Sequence, residues 1–280
     1  MPLRGKKPTT IEKRLKALFF GEAGAGKTTA AIQFPRPYLI DTERGAEHDQ
    51  YTHMLEDQEG AIFQSQDFDE ILKEVKALLT EKHEFKTLII DPVTVVYNSL
   101  IESAEKKVGN EFGRHYGEAN KQMKHLLNLI MRLDMNVIFT AHAKNEYGGK
   151  MEVIGQVADG YKKLPYLFDL MVEIKKEGKK RMGYVRKSRI KGLEEYERFE
   201  FSYDEVAKRY GREILEKDAA PQALATEEQV NAIKKLFEIL KVDGEYIKKG
   251  LDKSESASLE EMPKEKIQAW IDQLKKRIEV

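Results

Sequence analysis

Gly21-Glu22-Ala23-Gly24-Ala25-Gly26-Lys27-Thr28 fits G-x-x-x-x-G-K-[ST] at every position, between an apolar run, Leu15 to Phe20, and a helix-compatible stretch, Thr28 to Phe34. Strand, glycine-rich loop and helix in that order make a phosphate cradle. Backbone N–H groups must approach phosphate oxygens closely while the chain turns through conformations that a Cβ penalises, which is why glycine recurs. The reading sets Gly21, Glu22, Ala23, Gly24, Ala25, Gly26, Lys27, Thr28 and Thr29 around a nucleotide's phosphates. Lys27 reaches the β- and γ-phosphates and the Thr28 hydroxyl ligates Mg²⁺, with the positive end of the following helix aimed at the anion. ATP and Mg²⁺ are the expected cofactors. A glycine-rich turn that binds nothing would meet the spacing but not the flanking strand and helix signals.

The chain has 280 residues, room for one full domain and something smaller. Charged residues make up 34% of it, yet Lys+Arg and Asp+Glu are equal at 48 each, so any nucleic-acid surface must be a local patch. Cysteine is absent, which excludes a disulfide framework, thiolate metal sites and cysteine nucleophiles. Met1 to Lys16 is basic and lacks the apolar core of a secretory signal, and no uncharged stretch is long enough to span a bilayer. A cytoplasmic protein with no membrane partner is expected.

Thr87-Leu88-Ile89-Ile90-Asp91 is a short apolar strand ending in a carboxylate, and Pro92 cannot continue a ladder. Asp91 is the candidate to hold Mg²⁺ through a water, together with Thr28, on a strand expected beside the one that carries the phosphate loop. An Asp that merely opens a turn is the other reading. Tyr38-Leu39-Ile40-Asp41-Thr42-Glu43-Arg44-Gly45 is a second apolar strand that ends in acids.

On that stretch the chain resembles the RecA/RadA recombinase superfamily, in which a strand reading I-D-x-E delivers the glutamate that polarises the attacking water. The resemblance makes Glu43 the general base, and γ-phosphate hydrolysis does need a carboxylate on an in-line water. An exposed acidic turn is the alternative. Asn136-Val137-Ile138-Phe139-Thr140-Ala141-His142 reads as a buried strand whose end brings His142, and Lys144 after it, toward the γ-phosphate. The superfamily has a polar sensor there, usually Gln; a strand-end histidine is otherwise simply a satisfied polar residue. Ala143 to Lys163, rich in Gly, Lys and polar residues, occupies the place of the superfamily's disordered DNA-binding loop. Leu164 to Ile174 and Gly183 to Lys187 look like paired strands. Lys187-Ser188-Arg189 follows where relatives send a K-x-K or K-x-R into the neighbouring subunit's nucleotide, so Lys187 and Arg189 are candidate fingers in trans, or else a solvated basic strand end.

Apolar strands near Leu15 to Phe20, Tyr38 to Asp41, Ala61 to Phe63, Thr87 to Asp91 and Asn136 to Ala141 alternate with helical stretches at 68–80, 94–108 and 117–133. The alternation predicts an α/β fold, a mostly parallel sheet flanked by helices on both faces. Ile71, Leu72, Val75, Leu78 and Leu79 share one helical face, as do Met123, Leu126, Leu127 and Ile130, and both stripes are core. Gly21, Glu43, Asp91 and His142 then fall together at the carboxyl ends of strands, where phosphate chemistry belongs. A basic arm over 1–14, an ATPase core over 15–218, a linker over 219–225 and a helical module over 226–280 complete the division. In that module Thr226-Glu227-Glu228-Gln229 is a capping box opening a helix with Val230, Ile233, Leu236, Phe237 and Leu240 inward. Ile267, Trp270, Ile271, Leu274 and Ile278 follow Pro263 at helical spacing, and Trp270 reads as core rather than as a base-stacking platform.

Over residues 15–215 the chain most resembles the compact phage RecA-like ATPases of the AAA_24 type, which include the Sak-type single-strand annealing proteins. GEAGAGKTT, YLIDTERG, TLIIDPVT and the segment Phe112-Gly113-Arg114-His115-Tyr116-Gly117 carry the likeness. It implies a RecA-like P-loop core, an Mg²⁺-dependent ATPase that binds single-stranded DNA, and annealing or strand exchange in phage-type homologous recombination. It also implies assembly into a ring or filament, and a phage or host single-strand-binding or recombination protein as a further partner. Lys106, Lys107, Arg114 and Tyr116 in one loop and Lys144, Lys150, Lys162 and Lys163 in a second are the candidate DNA contacts; without the resemblance they are ordinary exposed charges. A helicase or helicase-loading ATPase is the alternative role, and a nucleotide-binding module that recruits a partner through its C-terminal helices is an alternative of another class.

Overall fold

The computed structural model describes residues 13–45, 49–149 and 152–278. Among the described residues there are nine strands: β1 (Lys16–Gly21), β2 (Pro37–Asp41), β3 (Ala61–Gln64), β4 (Thr87–Asp91), β5 (Asn136–Tyr147), β6 (Val153–Ala158), β7 (Leu170–Glu177), β8 (Lys180–Ser188) and β9 (Arg198–Glu200). Every residue of β1 and β4 is buried, the mark of strands covered on both faces. The sheet runs β3-β2-β4-β5-β1-β7-β8-β9, with β6 paired to β5 alone. From β3 to β7 the neighbours are parallel; β8 and β9 are antiparallel additions.

The strand of Asp91 does not lie beside that of the phosphate loop, contrary to the sequence expectation. β5 stands between them, pairing with β1 on one side and β4 on the other. The long helical connection between β4 and β5 returns the chain directly next to β4 in parallel, which fills the place beside β1.

Side-chain alternation along β1 splits two cores. Leu18 and Phe20 face one cluster, built with α3 (Phe68–Thr80), α4 (Val93–Val108) and α5 (Arg114–Arg132). Ala17 and Phe19 face the other, with α1 (Lys27–Ile32), α7 (Tyr203–Tyr210) and α8 (Arg212–Leu215); α2 (Asp49–Asp57) adds Leu55. The expected stripes through Ile71, Val75 and Leu79 and through Met123, Leu126 and Ile130 are buried as read.

Several boundaries move. Ala143 to Lys163 is not one open loop. β5 runs on to Tyr147 and β6 returns against it in antiparallel pairing, giving a ribbon beyond the carboxyl edge of the sheet. Leu164 opens a short helix, α6 (Leu164–Leu167), because Pro165 suits a first helical turn, and the strand starts only at Leu170. Arg114, His115 and Tyr116 are not loop residues but the first turn of α5, which Gly113 in the left-handed region allows to begin early.

Arg14, assigned to the basic arm, is buried and locks into the core, donating to Asp134 and to the carbonyls of Ile214, Lys217 and Asp218. Residues 1–12 of that arm lie outside the described residues. Beyond α8, α9 (Glu227–Ile239), α10 (Gly244–Ser254) and α11 (Lys264–Lys275) enclose a cluster of their own. Thr226 and Gln229 form the expected reciprocal cap. Ile278 departs from the helical pattern: α11 ends at Lys275 and the side chain stands exposed. The segment 219–225 is fastened rather than free, with the Gln222 N–H on the Leu79 carbonyl at 2.7 Å and Leu224 bridged to Pro263.

Candidate functional site

The phosphate loop takes the shape its glycines permit. Gly24 and Gly26 sit at φ 75° and 90°, conformations costly for residues with a Cβ, and Gly26 caps α1. At Gly21 the limit is space, since a Cβ there would lie 2.4 Å from the Ile174 carbonyl oxygen. Lys27 Nζ donates to the carbonyls of Gly21 at 3.0 Å and Glu22 at 2.9 Å. Burial lowers its pKa, and the charges of Asp91 and Glu43 pull the other way. Thr29 follows on the first turn of α1.

Thr28 Oγ1 donates to Asp91 Oδ2 at 2.7 Å across the end of β5, and Thr140 of β5 donates to Asp91 Oδ1. Burial raises the Asp91 pKa; the hydrogen bonds from Thr140 and Thr28 oppose it, Asp41 adds to it and Lys27 opposes it. A hydroxyl and a carboxylate oxygen side by side, in a pocket that penalises an unneutralised carboxylate, fit a hard divalent cation such as Mg²⁺. Among the described residues no cluster of three or more His, Asp or Glu could hold a metal alone, so phosphate and water oxygens would supply the remaining ligands.

The end of β2 is built just as closely. Buried Thr42 bonds the carbonyl of Pro92 at 2.9 Å, and Asp41 Oδ1 accepts the N–H groups of Glu43 and Gly45, both at 3.2 Å. Those contacts aim Glu43 across the sheet edge, where its Oε1 meets His142 Nε2 at 2.9 Å. Both side chains are about half exposed, 44% and 45%, so water reaches the pair. The His142 N–H in turn donates to Thr94 Oγ1 at 3.0 Å, and Thr94 donates to the Asp159 carbonyl at the foot of the β5–β6 ribbon. Sequence reasoning placed Gly21, Glu43, Asp91 and His142 on one edge, and they stand there at or just beyond the strand ends, with Lys27 on the Gly21 carbonyl. It missed Asp41, Thr42, Thr94 and Thr140, which set their positions; the acid-rich end of β2 was the available signal for the first two.

A family model described as AAA domain, AAA_24, matches residues 13–193. The chain belongs to that family. It is a P-loop ATPase of the AAA type with an α/β core, a mostly parallel sheet flanked by helices. Similar solved structures include the RadB recombinase, at 18% identity and TM-score 0.43, the match covering 66% of this chain and 86% of that one. The assembled ATPase EscN of the enteropathogenic E. coli type III secretion system is similar at 12% identity and TM-score 0.41, over 93% of this chain and 66% of that one. No curated protein matches the chain. No helix among the described residues is long and apolar enough to cross a membrane.

Elsewhere in the AAA domain, Lys187 and Arg189 stand apart from this edge. Lys187 pairs with Met171 near the start of β7, level with the amino end of β1. Its Nζ donates to the carbonyls of Pro165 and Phe168, while Arg189 bonds the Tyr166 carbonyl at 3.1 Å and Asp169 at 3.5 Å. Burial lowers the Lys187 pKa, and Arg189 lowers it further. The cation that does reach the cradle is one the sequence did not flag. Arg181, near the start of β8, lies so close to Gly26 that a Cβ there would meet its Nε at 2.3 Å. Its guanidinium has no ion pair or side-chain hydrogen bond among the described residues. The run Lys179-Lys180-Arg181 reads as a solvated hairpin tip, and only the pairing of β8 with β7 puts Arg181 on the α1 face.

α4 leaves the carboxyl edge at Pro92 and α5 ends at the amino edge before Asn136, and they pair as an antiparallel hairpin through Tyr97–Asn120 and Lys107–Glu118. Its tip therefore rises above the nucleotide edge. There Phe112 is fully exposed, at 103%, with a φ of 53° between Gly109 and Gly113. Lys106 and Tyr116 are exposed beside it; Lys107 and Arg114 pair with Glu118 and Glu111. On the ribbon, Lys144 pairs with Asp159 at 2.9 Å, and Gln156 reaches Glu22 of the phosphate loop at 2.9 Å. Lys162 and Lys163 are exposed at its foot. Lys150 lies outside the described residues.

Proposed function

We propose that this AAA domain hydrolyses ATP with Mg²⁺, binds single-stranded DNA at its carboxyl edge, and promotes annealing or strand exchange in phage-type recombination. The observation that carries the reading is the shared edge: Thr28 on Asp91 at 2.7 Å, Glu43 on His142 at 2.9 Å, and the ribbon that follows His142 touching the phosphate loop through Gln156. On ATP binding Lys27 exchanges the Gly21 and Glu22 carbonyls for β- and γ-phosphate oxygens. Thr28 and Asp91 would hold Mg²⁺, which neutralises phosphate charge when bound. Glu43 accepts the proton of a water whose oxygen attacks the γ-phosphorus as the bond to the ADP oxygen breaks. His142 orients that carboxylate, and Arg181, without an ion pair among the described residues, would meet the phosphates from beside Gly26.

The exposed Phe112 tip and the β5–β6 ribbon rise from the same edge, which supports a DNA path there; cations neutralise the backbone and Phe112 or Tyr116 stacks on bases. Lys187 and Arg189 are proposed to serve a neighbour's nucleotide in a ring or filament, giving up their present carbonyl partners. The recruited partner would be a phage or host single-strand-binding or recombination protein, in the cytoplasm of the host. Phosphate release measured with and without single-stranded DNA tests the role. Stimulation by DNA, with annealing of complementary strands and no directional unwinding of a fork, is expected. DNA that neither binds at low salt nor changes turnover removes the recombination role, and fork unwinding replaces it with a helicase.

A further inference from the structure

The C-terminal helices carry a groove that the ATPase edge does not use. Between α10 and α11 lies a cavity of about 500 Å³. Its floor exists because of a glycine: a Cβ on Gly250 would lie 2.2 Å from the Trp270 ring, so the indole lies directly against the α10 backbone. Met262 completes the apolar floor, and small Ala269 leaves the space above it open.

The rim is of one sign. Lys249 and Lys253 come from α10, Lys266 and Arg277 from α11 and its end, and among the described residues no carboxylate lines the cavity. Lys253 has no partner among the described residues. Arg277 lies over the Tyr246 ring at 5.2 Å, and Lys249 pairs only with exposed Glu245. Acids and bases are balanced over residues 226–278 as a whole, so the groove is a local segregation of positive charge. Attachment to the core runs through Gln222 and Glu261, neither of which lines the cavity.

We infer that this groove is a docking site for a short acidic peptide segment of a partner protein, seating an apolar side chain over Trp270 while its carboxylates meet the lysine and arginine rim. Charge complementarity selects an anionic occupant, and the concave apolar floor selects a side chain. A nucleobase fits less well, because Trp270 is only 9% exposed, with its ring packed against Phe237, Tyr246 and Gly250, so it offers the groove a small apolar patch rather than a platform for a stacked base. The inference is independent of the ATPase reading, since the groove shares no residue with the nucleotide edge.

Trp270 is the only tryptophan in the chain, so its emission reports on the groove directly. The full-length protein, without nucleotide, is titrated with short synthetic peptides of Asp and Glu interspersed with Leu and Phe. A saturable change in emission that weakens as salt is raised is expected. The variant Lys253→Glu with Lys266→Glu alters only exposed positions and should weaken binding at least about tenfold, close to 1.4 kcal/mol. Ala269→Phe, which fills the groove without reversing charge, should abolish it while leaving the thermal transition in place. An absent emission change overturns the proposal. So does equal binding by the charge-reversed variant, or by poly-glutamate without apolar residues. An oligothymidylate that produces the same change and displaces the peptide would reassign the groove to nucleic acid.

Discussion

In the proposed mechanism a single contact, His142 to Glu43 at 2.9 Å, sets how the reacting water is handled. Glu43→Gln keeps the length and the histidine contact but removes the proton acceptor. Turnover should fall roughly 10²–10⁴-fold with ATP still bound, read by steady-state phosphate release against binding of a fluorescent ATP analogue. Normal turnover would take Glu43 out of the chemistry. His142→Ala frees the carboxylate and should cost about tenfold in turnover, the scale of one hydrogen bond to a charged group, and His142→Gln should restore most of it. Arg181→Ala should weaken ATP binding by a similar factor of about ten and leave DNA binding alone, since its guanidinium sits beside Gly26. Unchanged ATP affinity would make it a packing residue. A fourth residue acts on stability. Lys16, at the start of β1, donates to the carbonyls of Leu133 and Met135, and burial lowers its pKa to about 7, with Arg14 adding to that and Asp134 and Asp169 opposing. Between about pH 7 and the ordinary value of 10.5 the unfolded chain therefore binds more protons than the folded one. Stability should rise with pH across that window, by up to roughly 1.4 kcal/mol per unit, and the slope should shrink in Lys16→Met. Urea midpoints at several pH values check it; parallel slopes in the two proteins would show that Lys16 does not titrate there.

Between residue and fold, the α4–α5 hairpin presents the least explained side chain. A phenylalanine fully exposed at a left-handed tip carries backbone strain, and the proposed function gives it a base to stack on. Phe112→Ala should lower affinity for single-stranded DNA by about 1–3 kcal/mol, measured by anisotropy of a labelled oligonucleotide, with ATP affinity unchanged. Unaltered DNA affinity would move the contact to a protein neighbour. Elements of this kind show which parts of the fold are legible in sequence. α3 matches its expected span, Phe68–Thr80, because its apolar stripe has a helical period and Asp67 caps it through the N–H groups of Asp69 and Glu70. β2 and β4 were equally plain as apolar runs. The outer half of β5 was not: Ala143 to Tyr147 is mostly exposed, so no buried face imposes a pattern, and the ribbon is held by backbone pairing with β6 that leaves no trace in composition. The candidate site divides the same way. Lys27, Thr28, Asp91 and Glu43 announce themselves because their chemistry demands residue types at fixed spacing. Thr94 and Thr140 do not, because a hydroxyl that positions another group looks like any threonine until the sheet order is known.

At the scale of the whole chain, sheet order and docking matter more than any one motif. β5 between β1 and β4 means that the strand carrying His142 is flanked on one side by the strand that leads into the phosphate loop and on the other by the strand that ends in Asp91. A shift of β5 along its axis would therefore be felt by both, and the ribbon that extends β5 is where a bound strand would pull. The helical module is fixed to the same body through Glu261, whose carboxylate takes Lys76 of α3 at 2.6 Å and His125 of α5 at 2.9 Å. Arg132 adds bonds to the Glu261 carbonyl and to Gln222. Burial alone would raise the Glu261 pKa, but the hydrogen bonds and charges of His125 and Lys76 more than offset it and hold it at about 2. Because that pKa is depressed below the ordinary 4.5, the docking contact contributes stability in full above about pH 4.5 and loses it as pH falls toward 2. Acid should therefore release the module before the core unfolds, and at neutral pH Glu261→Gln should loosen it in the same way. Limited proteolysis reads this directly: cleavage within 217–225 should appear as pH is lowered with an acid-active protease, and at neutral pH in Glu261→Gln but not in the unaltered chain. Cleavage rates that stay equal in the two proteins would mean that Gln222 and Arg132 hold the module without the carboxylate.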